Sequence, residues 1–135
     1  MDAVADHYLM ERVATATPAE LVALLYDKAV LSLKRAQHFL ANGEVDKANA
    51  RIVNASDIVL ELRCNLNPAA GEMTTRLEAL YAWVTHRLLV AGSRRDASAV
   101  QEALDVLVPL QGAWRQACVG PKSPAVGSPV GAGQR

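Results

Sequence analysis

Apolar residues recur at alternating spacings of three and four along successive stretches of this chain, a rhythm that admits little besides packed α-helices. One stretch carries Ala48, Ile52, Ala55, Val59, Leu62 and Leu66, and the next carries Met73, Leu77, Leu80, Val84, Leu88 and Ala91. A later one carries Ala97, Val100, Leu104, Leu107, Gln111, Trp114 and Cys118. An earlier stretch opens on a helix start signal. Thr17 is an N-cap, Pro18 stands at the first helical position where a missing N–H is harmless, and Glu20 completes a capping box. Its core stripe is Val22, Leu25, Ala29, Leu33, Ala36 and Leu40.

Three breaks separate the stretches: Asn42-Gly43, the segment from Asn65 to Gly71 containing Asn67-Pro68, and Gly92-Ser93-Arg94-Arg95 with Asp96 placed to cap the next helix. They predict helices over 18–41, 45–65, 72–91 and 96–118, with a short helix around 3–13 inside an N-terminal segment, 1–14. Each long helix spans about 30 Å at 1.5 Å per residue. Similar lengths and short connections predict an all-α fold, an antiparallel up-down four-helix bundle over 15–118 with a short extra N-terminal helix. Pro109 and Gly112 predict a kink or a split near Val108. From Val119 on, Gly, Pro, Ser and Val without period predict a disordered tail over 119–135.

Composition bounds the partners. A chain of 135 residues is long enough for one core, and its 4% aromatic content leaves that core to Leu, Val, Ile and Ala. Fourteen basic and fourteen acidic residues cancel, which argues against nucleic acid. No apolar run approaches the roughly 20 residues of a membrane span. The acidic start, Met1 to Asp6, lacks the basic region of a secretory signal. Cys64 and Cys118 form no CxxC pair and read as buried free thiols.

No catalytic or metal-binding pattern emerges. His7, His38 and His86 have no acidic residue three positions earlier, so the ExxH pairs of di-iron bundles are missing. HExxH, P-loop, dinucleotide and GxSxG patterns are absent too. Tyr26 and Asp27, adjacent on a helix, diverge rather than converge. Arg87, Arg94 and Arg95 answer the C-terminal end of a helix dipole. The expectation is a non-enzyme without cofactor or metal.

The helices carry more apolar residues than one core stripe needs. Leu21, Leu24 and Leu31 lie beside the stripe of the first; Val53, Ile58 and Leu60 beside that of the second; Trp83, Leu89 and Val90 beside the third; Val106 and Leu110 beside the fourth. Two readings are open. The surplus packs on neighbouring helices of the bundle, or part of it forms a groove for an amphipathic partner helix. On the second reading Leu24→Asp spares the fold and weakens partner binding, whereas Leu25→Asp unfolds the chain.

Thr15-Ala16-Thr17-Pro18, then Leu21 and Leu24-Leu25-Tyr26-Asp27, resembles the signature of the FliS flagellar secretion chaperones. Tyr8 with Val13 five residues on is similar to that family's N-terminal element. Ala55 to Leu62, Ala79-Leu80-Tyr81 with Arg87-Leu88, and Ala113 to Ala117 resemble its later helices in order. The resemblance implies a bacterial cytosolic helical bundle, monomeric or weakly dimeric. It implies that the chain wraps the C-terminal segment of flagellin, prevents premature polymerisation and delivers it to the type III export apparatus. The alternative is an adaptor of the same fold that binds another flagellar component such as an anti-sigma factor. Partner contacts are expected at Tyr8, Val13, Leu21, Leu24, Tyr26, Leu31, Ile52, Ile58 and Leu62, with Leu104 and Leu107 serving the core alone.

Overall fold

The computed structural model describes residues 17–119. The described residues form α1 (Pro18–Ala41), α2 (Val45–Cys64), a 3-10 turn (Pro68–Ala70), α3 (Glu72–Arg94) and α4 (Ala97–Val119), with no strand among them. The short N-terminal helix and the tail beyond 119 lie outside the described residues. The chain divides into two compact units, one running Leu25–Gln111 and the other formed by Met1–Leu24 with Gly112–Arg135.

In the second of these units, the start of α1 is capped as its sequence dictates. Thr17 N–H donates to Glu20 Oε1 at 2.9 Å, and Glu20 N–H donates to Thr17 Oγ1 at 3.2 Å. Two donors that a helix start leaves unpaired are thereby satisfied. Trp114 and Cys118 on the last turns of α4 are half-buried.

The unit Leu25–Gln111 holds the main core. Tyr26, Ala29, Leu33 and Ala36 from α1 are fully buried, with Ala48, Ala55 and Val59 from α2, Val84 and Ala91 from α3, and Val100, Ala103 and Leu107 from α4. Side chains tie the helices at defined heights. Buried Ser32 donates its hydroxyl to Arg51 O at 2.8 Å and accepts from Asn54 Nδ2 at 3.1 Å, joining α1 to α2. Gln37 meets Gln101 at 2.8 Å, and Gln111 donates to Asp27 Oδ1 at 2.8 Å, joining α1 to α4. Arg63 pairs with Glu78 at 2.8 Å between α2 and α3.

The turns follow local chemistry. Gly43 takes φ 75°, and Glu44 N–H reaches back to Phe39 O at 2.8 Å to close α1. Only a residue without Cβ enters that left-handed region at no steric cost. Asn67 Oδ1 accepts from Ala69 N–H at 3.0 Å, and Gly71 at φ 74° leads into α3. Asp96 Oδ1 accepts from the Ser98 and Ala99 N–H groups at 3.0 and 3.3 Å, the cap expected of it.

Several expectations need correction. The core register of α1 centres on Tyr26 rather than Leu25, and Leu24 is only 6% exposed whereas Leu25 is half-buried. A stripe through 22, 26, 29 and 33 satisfies helical spacing as well as one through 22, 25, 29 and 33. Tyr26 wins because its hydroxyl finds a hydrogen-bond partner inside. Helix α3 runs through Gly92 to Arg94 and ends where Arg95 adopts the left-handed conformation at φ 52°. Helix α4 runs through Pro109 as one element rather than splitting near Val108. Met73 and Leu80, assigned to the core stripe of α3, are exposed. Cys64 is an exposed free thiol and Cys118 a half-buried one. Arg87 does more than face the end of its own helix: its guanidinium pairs with Glu102 at 2.7 Å, binding α3 to α4.

Candidate partner-binding site

No helix among the described residues is long and apolar enough to cross a membrane, and none of their His, Cys, Asp and Glu side chains cluster as a metal site. What the unit Leu25–Gln111 offers is an apolar groove between α2 and α3. Its position follows from the helix pairing. Arg63 meets Glu78 near one end, while near the other Ile52 Cγ2 lies 3.9 Å from where a Cβ on Gly92 would stand. Ile52 and Leu88, both buried, form the floor. Val53 and Leu89 form the walls, 59% and 69% exposed. A cavity of about 390 Å³ opens there, completed by Asn49, Ser56, Thr85, Gly92 and Ser93.

The exposed apolar residues of α2 and α3 continue beyond the cavity at a regular spacing. On α2, Val53 and Leu60 are both exposed and seven residues apart, two helical turns, with exposed Asp57 between them. On α3, exposed Ala82 and Leu89 are likewise seven apart, with exposed His86 between. Two of the polar side chains that line the cavity bond internally: the Thr85 hydroxyl donates to Tyr81 O at 2.9 Å and the Ser93 hydroxyl to Val90 O at 3.4 Å. Asn49 Oδ1 is an exception, buried without a partner.

The residues expected to touch a partner are distributed differently. Leu31 is 50% exposed on α1 and Leu21 is half-buried. Ile52 forms the groove floor, whereas Leu24, Tyr26, Ile58 and Leu62 are packed in the interior. Tyr8 and Val13 lie outside the described residues. Leu104 and Leu107 are buried, as expected of core residues. Of the surplus residues, Leu31, Val53, Leu60, Trp83 and Leu89 reach the surface. Their signal in the sequence is a two-turn spacing just off the core stripe, interrupted by a charge.

Chemically the groove offers mainly aliphatic surface, with the unpartnered Asn49 Oδ1 as a polar acceptor at its edge. The buried Tyr26–Tyr81 hydroxyl pair is sealed in the core. Burial pushes the Tyr81 phenol above its ordinary pKa of 10.0, and the Tyr26 hydrogen bond offsets part of that rise.

Comparison with known proteins bears on the family and the fold. The family profile described as "Flagellar protein FliS" matches residues 1–121. The chain is 34% identical over 113 residues to the flagellar secretion chaperone FliS of Salmonella typhimurium, covering 82% of each chain. It is 28% identical over 110 residues to the protein of the same name from Bacillus subtilis, again covering 82% of each. A crystal structure described as a flagellar chaperone from bacteria superimposes with a TM-score of 0.70 at 19% identity, over 88% of this chain and 98% of that one, and so shares its fold. The all-helical fold, the ordered helix motifs and the match along nearly the whole chain converge: this protein belongs to the FliS family of flagellar secretion chaperones.

Proposed function

We propose that this chain is a cytoplasmic, non-enzymatic export chaperone that binds the C-terminal segment of flagellin, prevents premature polymerisation and delivers the subunit to the flagellar type III export apparatus. The observation that carries the reading is the exposed apolar groove between α2 and α3 in a member of this family. A helix-forming segment that is unfolded before export has to recover its ordering cost from a long apolar contact. Walls repeating every two turns suit a helix with apolar residues at matching spacing.

The four long helices fit an antiparallel up-down bundle, since residue 27 pairs with 111 and 37 with 101, while 52 lies near 92 and 63 near 78. Exposed Leu31 offers a further apolar contact on α1, and Leu21 is a client residue of its own unit. Tyr8 and Val13 contribute through the N-terminal element. Tyr26, Ile58 and Leu62 are buried in the core of their unit and serve the client surface by holding that core. The free protein is a monomer or a weak homodimer.

The test is co-purification with full-length flagellin and with flagellin lacking its C-terminal segment. The complex should form with the first and be lost with the second. Equal binding of both forms would sink the reading.

A further inference from the structure

We infer that Gly92 is a specificity-determining residue of the groove, its missing side chain holding open a pocket for a bulky apolar anchor on the incoming helix. This inference rests on the reading of the groove as the client site.

Glycine at position 92 has no explanation in the fold of the chain itself. It lies within α3, where glycine is a weaker helix former than alanine. Its backbone does not require glycine, since the positive-φ glycines among the described residues are Gly43 and Gly71. Close packing does not require it either. A Cβ built at 92 would meet only Ile52 Cγ2, at 3.9 Å, an ordinary van der Waals contact. At Gly92 an alanine would therefore fit the free protein and favour its helix.

What glycine preserves is space. Gly92 borders the cavity of about 390 Å³ whose floor is Ile52 and Leu88 and whose walls are Val53 and Leu89. That volume is at the small end of the roughly 300–1,000 Å³ typical of whole-ligand pockets, a size suited to side chains. The wall repeat commits the occupant to a helix. Val53 and Leu89 line the cavity together, and the antiparallel register that sets residue 52 near 92 and 63 near 78 brings Leu60, two turns along α2, level with exposed Ala82. A helix lying along the groove presents one large apolar residue at the Gly92 end and a second seven positions away. Exposed Asp57, midway between Val53 and Leu60 and without an ion pair among the described residues, favours a Lys or Arg between those two anchors.

The test is a substitution series in the full chain, Gly92→Ala, Gly92→Val and Gly92→Leu, with Leu89→Asp as the control on the groove. Each variant is titrated calorimetrically with the C-terminal segment of flagellin and melted without it. Gly92→Ala should raise Tm by roughly 2–4 °C. Binding should weaken along the series, reaching about tenfold or more at Gly92→Leu. Leu89→Asp should abolish binding. If Gly92→Ala lowers Tm, glycine serves the fold and the inference is overturned. If Gly92→Ala and Gly92→Val, both folded, bind as tightly as the parent while Leu89→Asp does not bind, the anchor pocket is wrong and the groove stands. If Leu89→Asp binds normally, the groove reading falls and Gly92 falls with it.

Discussion

Tyr26 on α1 and Tyr81 on α3, 55 residues apart in the chain, hydrogen-bond through their hydroxyls inside the core, with ring centroids 6.4 Å apart. Both rings are almost wholly buried. The pair sets the rotational register of α1, because it draws Tyr26 inward and leaves Leu25 half-buried.

Tyr26→Phe should destabilise the protein by about 1–3 kcal/mol, since it strips the Tyr81 hydroxyl of its Tyr26 partner in an apolar interior. The double variant Tyr26→Phe, Tyr81→Phe should be less destabilised than the sum of the single variants. Urea denaturation of all four proteins measures the coupling directly. Additive losses would mean that the two hydroxyls do not depend on each other.

The same pair predicts alkaline behaviour. Burial raises the Tyr81 pKa above 10.0, so the folded protein holds its phenolic proton at a pH where the unfolded chain releases one. The stability from this group is complete below pH 10 and declines as pH rises from there through the folded-state value. Melting temperatures between pH 8 and 12 should fall less steeply for Tyr81→Phe than for the parent.

Asp96 acts at the opposite end of the scale. The Ser98 hydroxyl, at 2.6 Å, leads the interactions that hold the Asp96 carboxyl below its ordinary value of 3.8; backbone N–H groups of Ser98 and Ala99 assist. Its cap is therefore in place above pH 3.8 and is lost as pH falls through the lowered folded-state pKa. Asp96→Ala should lower Tm at pH 7, and the difference from the parent should shrink as pH falls through the lowered folded-state pKa. Asp96→Asn, which keeps an acceptor for the cap, should stay close to the parent at pH 7.

Thr17→Ala removes one half of the reciprocal cap with Glu20 and should cost about 1 kcal/mol. Amide exchange should quicken at Glu20 and Leu21 in the first turn of α1 and stay unchanged in α3. Uniform acceleration across the chain would show that the cap governs global rather than local stability.

On α1, Leu24→Asp places a charge at a position 6% exposed and should destabilise by several kcal/mol. Leu31→Asp, at a position 50% exposed, should leave Tm within a few degrees of the parent. Thermal melts of the two variants decide the contrast. Equal losses would contradict the observed division of this helix.

Much of this architecture was legible in the residues. Thr17, Pro18 and Glu20 set the start of α1, Gly43 its end, and Asp96 the start of α4, because capping depends on neighbours a few positions away. The end of α3 was less legible. Gly92 resembles a stop, yet the helix continues until Arg95 turns left-handed, a choice that packing around Ala91 can override locally.

By itself, the sequence determined that the described residues are helical, where their four long helices lie, and the chain's place in the FliS family. Those features depend on local propensity, on periodicity and on motifs in order. Only the tertiary structure decided that Tyr26 rather than Leu25 faces the core, and that Val53 and Leu60 rather than Ile58 and Leu62 reach the surface. The physical reason is the width of the apolar face. When a helix carries apolar residues over more than one stripe, several rotations satisfy 3.6 residues per turn equally well. The opposing side chains, here a buried phenol with a partner for its hydroxyl, select among them.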